Sequence, residues 1–275
     1  MNKKQLVVGS TVVLVLAGGL VGHDANAAKK KQVLAVGSTA LQPLASQAAE
    51  MYGEKHPGVS VVVQGGGSGG GLSQVGKGGV TIGNSDIFAS QKDGVDAKKL
   101  TDHKVAVVGI APVVNKDVPV KSLTKEQLRD IFTGKITNWK DLGGSDEAIV
   151  VIGREAASGT RGAFEELLEV KNKCAYAQEL DSTGAVLAKV AATPGAIGYV
   201  SLDVVDKTVA ALKLDGVDAT EDNIKAGKYT LSRPFVMATK GSVSSQSELV
   251  QTWFNFVKSE AGKKVIKGVG LILPE

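Results

Sequence analysis

Apolar residues along this chain recur in two alternating textures: short, nearly continuous runs rich in valine and isoleucine, and longer stretches where they return every three or four positions. The first pattern suits a strand buried on both faces, the second a helix packed on one side. Gln32-Val-Leu-Ala-Val36 reads as a strand, and Leu41, Leu44, Ala45, Ala48 and Tyr52 then fall on one helical face, with Pro43 admissible only in its first turn. That helix stops near Gly53. After Pro57-Gly58 a strand over Val59 to Val63 enters the run Gly65-Gly-Gly-Ser68-Gly-Gly-Gly71, beyond which Leu72 and Val75 predict a short helix. Val80 to Asp86 reads as a strand ending in a polar turn, and Lys104 to Val114 as a long apolar strand, interrupted by Gly109 and Pro112, able to cross between domains. Thr124 with Gln127 forms a capping box and Leu123 with Leu128 a hydrophobic staple, so a helix starts there and ends at Gly134. Trp139 is expected in a core. A helix over Thr183 to Ala192, a strand over Ala196 to Val200, a return strand over Arg233 to Ala238 and a final helix with Leu249, Val250, Trp253, Phe254 and Val257 on one face complete the pattern.

Strands and helices alternate throughout, which predicts an α/β architecture with mainly parallel sheets covered by helices, whose ligands bind beyond the strands' carboxyl ends. The most informative stretch is Ala148 to Leu168: an apolar β-rich run, the polar loop Arg154-Glu-Ala-Ala-Ser158, and a helical pattern opening with Gly159, Thr160 and Arg161. Ser158 is a good N-cap, and the backbone N–H groups of the next three residues would stand free at the positive end of the helix, where an oxyanion fits. Arg154 adds a guanidinium fork matched to a tetrahedral oxyanion. The same residues also fit an ordinary capped helix with a solvated arginine. The glycine run has two readings as well, a flexible linker by composition and an anion-binding nest by its position between strand and helix. Ser38-Thr39, Ser68 and Ser158-Gly159-Thr160 all lie at strand-to-helix turns, so their convergence would place three helix N-termini around one anion.

Composition narrows the class. A chain of 275 residues, 43% hydrophobic, can bury one large or two medium cores. Its first residues, Met1-Asn-Lys-Lys, an apolar segment from Leu6 to Val21, and Ala25-Asn26-Ala27, form a secretory signal with an A-x-A cleavage site. Loss of residues 1–27 removes Lys3, Lys4 and Asp24, so 32 basic and 28 acidic residues become 30 and 27, a net charge of +3 that gives no argument for nucleic acid. The only cysteine, Cys174, excludes an intrachain disulfide and any Cys-based metal cluster, and the two histidines of the mature chain, His56 and His103, with scattered carboxylates show no metal-ligand spacing, so neither metal nor cofactor is expected.

Two functional classes compete. Gly66-Gly-Ser68-Gly-Gly70 matches the G-x-S-x-G nucleophile elbow formally, but any glycine run does so, and a serine hydrolase using Ser68 would need a downstream histidine where the chain offers only His103 in Thr-Asp-His-Lys. Binding of an oxyanion accounts for more. Asp86, incongruous in an anion site, has a purpose if the ligand carries a proton: a carboxylate accepts a hydrogen bond from protonated phosphate and repels fully ionised sulfate. An Asx-turn after a strand explains Asp86 equally well on local grounds.

Gly37-Ser-Thr-Ala-Leu41, Gly67-Ser68-Gly-Gly, Gly83-Asn-Ser-Asp86, Ile131-Phe-Thr-Gly-Lys-Ile-Thr-Asn-Trp139, Arg154-Glu-Ala-Ala-Ser-Gly-Thr160 and Pro194-Gly-Ala-Ile-Gly-Tyr199 together resemble the phosphate-binding proteins (PstS) of bacterial phosphate ABC transporters, over nearly the whole mature chain. The resemblance implies a two-domain, type II periplasmic-binding-protein fold with a hinge of crossing strands. Its expected domains are 28–111 plus 233–275 and 112–232. It implies phosphate contacts from Thr39, the Ala40 backbone N–H, Ser68, Asp86 as proton acceptor, and Arg154, Ser158, Gly159 and Thr160, with Ser38 a further candidate donor. It also implies a monomeric, exported, non-enzymatic solute-binding protein that delivers inorganic phosphate to membrane permease subunits. The runner-up ligands are other tetrahedral oxyanions such as sulfate or molybdate. Gram-positive members commonly carry a Leu-x-Gly-Cys lipobox, whereas Leu16-Ala-Gly18 is followed here by Gly19, so cleavage after Ala27 is expected in place of lipid anchoring.

Overall fold

A computed structural model describes residues 31–274; the expected signal segment over 1–27 lies outside them. The chain begins with strand β1 (Lys31–Gly37), helix α1 (Gln42–Lys55), β2 (Val59–Gly66), α2 (Gly67–Lys77) and β3 (Ile82–Ser85). The 15-residue strand β4 (Leu100–Val114) then carries it onward to β5 (Ser122–Leu123), α3 (Lys125–Phe132), β6 (Val150–Arg154) and α4 (Gly159–Leu167). Next come β7 (Gln178–Leu180), α5 (Thr183–Ala192), β8 (Ala196–Ser201), the short β9 (Ala210–Ala211) and β10 (Lys213–Leu214), and α6 (Glu221–Lys225). The return strand β11 (Ser232–Lys240) precedes α7 (Glu248–Lys258) and α8 (Glu260–Gly268).

The main strand order is β2-β1-β3-β11-β4-β8-β6-β7. Both flanks are parallel, β2-β1-β3 on one side and β8-β6-β7 on the other. The centre is antiparallel, because β11 runs against β3 and β4, and β4 against β8. The expectation of mainly parallel sheets therefore holds for the two flanks and gives way in the middle, where two long strands take the chain across and back. Strand β4 serves two cores with one strand. Val105, Ala106 and Val108 join a cluster with Leu41, Leu44, Phe235, Met237, Trp253 and Phe254, while Ile110 and Val114 join a second with Leu128, Phe132, Trp139, Phe164 and Tyr199. Each cluster covers its own flank, so β4 and β11 are the frame on which two lobes are mounted.

Local signals largely carry through. Thr124 Oγ1 accepts from Gln127 N at 3.0 Å and Gln127 Oε1 accepts from Thr124 N at 2.8 Å, completing the capping box. Trp139 is fully buried and donates its indole N–H to Gly195 O at 2.9 Å. The glycine run departs from expectation: α2 begins at Gly67, within the run, and not near Leu72. The reason is close packing of helix on sheet. A Cβ on Gly71 would stand 2.8 Å from Gly37 Cα and one on Gly83 2.9 Å from Gly71 O, so only hydrogen at both positions allows α2 to lie against the carboxyl ends of β1 and β3. This closeness brings Ser68 down to the end of β3. Helix α8, with Val265 and Ile266 buried, was not legible in the pattern.

In the second lobe, Phe164 stacks on Tyr199 with centroids 4.0 Å apart and meets Phe132 edge to face at 4.7 Å. These rings form the floor under α4 and β6. Phe164→Ala removes the central ring and should lower the unfolding free energy by about 3–5 kcal/mol, the usual cost of emptying a buried aromatic site, measured by urea denaturation.

Candidate functional site

The three strand-to-helix turns converge on one residue, Asp86. Ser38, at the β1–α1 turn, donates its hydroxyl hydrogen to Asp86 Oδ1, while its own oxygen accepts from Ala40 N at 3.2 Å and Leu41 N at 3.0 Å. Ser68, in the first turn of α2, accepts the Asp86 backbone N–H at 3.0 Å. Asp86 Oδ2 accepts from Thr160 Oγ1 at 2.6 Å, and Arg233 Nη2 stands 3.6 Å from the same oxygen. Ser38, Ser68, Asp86 and Thr160 are all buried. A buried carboxylate is tolerated only when its lone pairs are occupied and its charge is compensated, and here both oxygens are engaged from different elements.

The second lobe builds the opposing surface from β6 and α4. Ser158 caps α4 by accepting from Arg161 N at 3.2 Å, so of the three N–H groups expected to stand free, that of Arg161 is taken by the cap. Arg154, at the end of β6, is buried. Its Nε donates to Leu180 O at 3.1 Å, Nη1 to Thr183 Oγ1 at 3.1 Å and Nη2 to Asp181 O at 2.9 Å. Three of its five donors are thereby fixed on protein acceptors, which locks the plane of the guanidinium. Its backbone is held too: Arg154 N donates to the Tyr199 hydroxyl at 3.3 Å, and Arg154 O accepts from Arg161 Nη1 at 2.8 Å. Behind these, buried Glu165 accepts from Arg161 Nε at 2.7 Å, the Tyr176 hydroxyl at 3.0 Å and Asn172 N at 2.8 Å, and the two tyrosine hydroxyls share a hydrogen bond of 3.1 Å. Burial lowers the Arg154 guanidinium from its ordinary pKa, and the nearby Asp86 charge opposes that shift.

Contacts between the lobes are close at the site and along its rim. Gly69 N donates to Ala157 O at 2.9 Å, Lys92 Nζ to Ala156 O at 2.8 Å and Lys171 Nζ to Asp93 Oδ2 at 3.1 Å. Thr39 Oγ1 shares a 3.1 Å hydrogen bond with Thr183 Oγ1 and accepts from Thr183 N at 3.2 Å. Thr183 thus bridges Thr39 of one lobe to Arg154 of the other.

The structure therefore brings Ser38, Ser68, Asp86, Gly159 and Thr160 into one cluster and joins Thr39 to Arg154 through Thr183. Ala40, expected to offer its N–H, directs it to Ser38 Oγ, and the Ser158 hydroxyl is used within its own helix. Two residues of the cluster were missed in the sequence. Thr183 follows the N-cap Ser182 at another strand-to-helix turn, the rule that found the other three, but the three-residue β7 before it has too little apolar pattern to announce itself as a strand. Arg233 heads an apolar strand, and nothing local separates a buried arginine from one at a strand's wet end.

Neutral hydroxyl and amide donors, two guanidinium groups and one carboxylate acceptor form a set suited to a small, protonated, tetrahedral oxyanion. The hydrolase alternative finds no support in the geometry. Ser68 Oγ accepts a backbone N–H, His103 Nε2 is hydrogen-bonded to Thr239 Oγ1 at 2.9 Å, and His56 Nδ1 to Tyr52 O at 2.9 Å.

Residues 22–261 match the model of the PBP superfamily domain. A phosphate-binding protein PstS of Bacillus subtilis is 45% identical over 231 residues, spanning 84% of this chain and 76% of that protein. Among solved structures, a Clostridium perfringens protein crystallised with bound phosphate superposes with a TM-score of 0.83 at 36% identity, covering 89% of this chain and 100% of the other. An ABC-type phosphate transport receptor from Vibrio cholerae gives a TM-score of 0.72 at 36% identity, covering 88% and 100%.

The tightest approach in the cluster is at Gly159, where an added Cβ would fall on Ser68 Oγ and stand 3.0 Å from Asp86 Cβ. Gly159→Ala should force α4 away from α2 and lower stability by about 1–3 kcal/mol, the range for overpacking, and differential scanning calorimetry of the unliganded protein would show the lower midpoint.

Proposed function

The chain belongs to the PBP superfamily and, within it, to the PstS family of phosphate-binding proteins, and on that premise we propose that it captures inorganic phosphate outside the cytoplasm and hands it to the permease of an ABC transporter. The observation that carries this reading is Asp86, a carboxylate at the meeting point of both lobes, surrounded by hydroxyl donors and facing Arg154. A protonated phosphate can donate to it; sulfate cannot, and meets a repelling charge. Thr39, the Ala40 backbone, Ser68, Arg154, Ser158, Gly159 and Thr160 complete the proposed phosphate set, with Ser38 orienting Asp86 and Thr183 orienting Arg154.

The proposed domain division is residues 28–111 with 233–275 and residues 112–232, with β4 and β11 as the crossing strands. Phosphate contacted from both lobes shifts the hinge equilibrium toward closure, since a ligand moves such a balance only by binding one state better. No bond is made or broken. The closed form presents paired lobe surfaces to the permease, and transport is driven elsewhere.

Calorimetric titration with phosphate, sulfate and molybdate tests this reading. Phosphate should bind and the other two should not; equally tight binding of sulfate would remove the role given to Asp86. Arg154→Ala, which leaves a dianion without its main countercharge, should weaken phosphate binding by a factor of roughly 100 or more, given about 3–5 kcal/mol for breaking a buried charge contact. Asp86→Asn should narrow the gap between phosphate and sulfate.

Export is proposed on the signal-like N-terminus; among the described residues, no helix is long and apolar enough to cross a membrane. N-terminal sequencing of secreted material should begin at Ala28, and any other start would exclude cleavage after Ala27.

A further inference from the structure

Arg233 enters the site from β11, the strand that brings the chain back between the lobes, where it pairs with Val108 of β4. It is buried, and only its Nη2 is engaged by hydrogen bonding: that nitrogen donates to Thr160 Oγ1 at 3.2 Å and faces Asp86 Oδ2 at 3.6 Å. Nε and Nη1 are buried and find no hydrogen-bond partner among the described residues. Arg154 has an acceptor on each guanidinium nitrogen, so the contrast is informative. An arginine retained for structural hydrogen bonds would use its donors, because unpaired buried donors are costly. Arg233 leaves two nitrogens unpaired and directs the third at the carboxylate and the hydroxyl that bonds it. Its surroundings include the Phe235 ring, 5.2 Å from the guanidinium carbon, and the charge of Asp203, itself bonded by the Ser201 hydroxyl.

We propose that Arg233 is the positioning residue of Asp86: from the crossing strand it places a countercharge beside this buried carboxylate and, through Thr160, ties it to the second lobe. The inference rests on the phosphate reading, in which Asp86 accepts the ligand's proton. Burial lowers the Arg233 guanidinium from its ordinary pKa, and the Asp86 and Asp203 charges oppose that shift. The Arg233 charge in turn lowers the Arg154 guanidinium across the site. Two arginines stand here against Asp86 and Asp203, with Glu155 acting on Arg154 as well, so removal of Arg233 leaves excess negative charge where an anion must bind.

The test is a double-mutant cycle read by calorimetry with phosphate and sulfate, on the unmutated protein, Arg233→Gln, Asp86→Asn and the pair, with Arg233→Lys as the conservative variant. Arg233→Gln should weaken phosphate binding roughly 30-fold or more and reduce the phosphate-to-sulfate ratio, as expected for truncating one partner of a buried charge pair. Arg233→Lys should recover most of the loss, at roughly tenfold below the unmutated protein, because charge returns without the planar fork. In the Asp86→Asn background, the same Arg233→Gln change should cost less than about threefold or improve binding, since its partner charge is gone. Equal losses in both backgrounds, or unchanged phosphate affinity and selectivity in a folded Arg233→Gln protein, would overturn the proposal. Should Arg233→Gln fail to fold by circular dichroism, Arg233→Lys carries the cycle, and a loss independent of Asp86 overturns the proposal. A protein that binds no phosphate when unmutated overturns the parent reading and this one with it, whereas intact binding with an inert Arg233 overturns this one alone.

Discussion

The constraint on which this site turns is the burial of the Asp86 carboxylate. A charge removed from water is costly unless it is paired and hydrogen-bonded, and Asp86 meets that requirement with groups from five places in the chain: Ser38 on Oδ1, Thr160 on Oδ2, the Ser68 hydroxyl on its backbone N–H, Arg233 as an ion pair and Arg154 across the cluster. The nearest of these groups in sequence, Ser68, is 18 residues away. The satisfaction of one side chain therefore demands that both lobes and the crossing strand meet at a single point.

That meeting is possible because side chains are missing where backbones approach. Gly71 and Gly83 let α2 lie on the strand ends, so Ser68 reaches Asp86; Gly159 lets α4 come up against Ser68 from the other lobe. The glycine-rich segment is thus neither a linker nor only a nest. It is a packing surface, and its conformational cost in a helix is offset by the closeness it permits.

The antiparallel pair β4 and β11 gives the molecule its mechanical logic. Each strand runs through the sheet between the two parallel flanks, and β4 passes from one apolar core to the other over Val107 to Ile110. Few residues separate the two cores along this strand, so the lobes are independent in their packing while linked by covalent strands. Arg154, by contrast, is made rigid within its lobe, gripped at backbone N, backbone O and every guanidinium nitrogen. A preorganised cation on one lobe and a compensated carboxylate on the other suit the proposed recognition of an anion by its proton.

Much of this was legible in the chain itself. The strand-helix alternation, the Thr124 capping box, the buried Trp139 and the Ser158 cap follow from short-range rules, in which periodicity and capping act over three or four residues. The proposed roles of Thr39, Ser68, Asp86, Arg154 and Thr160 rest on the family resemblance as well as on their places at strand-to-helix turns. What only the tertiary structure decided is whatever depends on close approach between distant segments. Arg233 looks like any charged residue at a strand's edge until β11 is seen lying between β3 and β4. Thr183 needs β7 in register beside β6, and the helical state of Gly67 to Gly71 needs the strand ends it packs against. Local sequence sets which conformations each segment prefers, but burial of a charge is a property of all the segments around it, so the partners of Asp86 became visible only when the chain was folded.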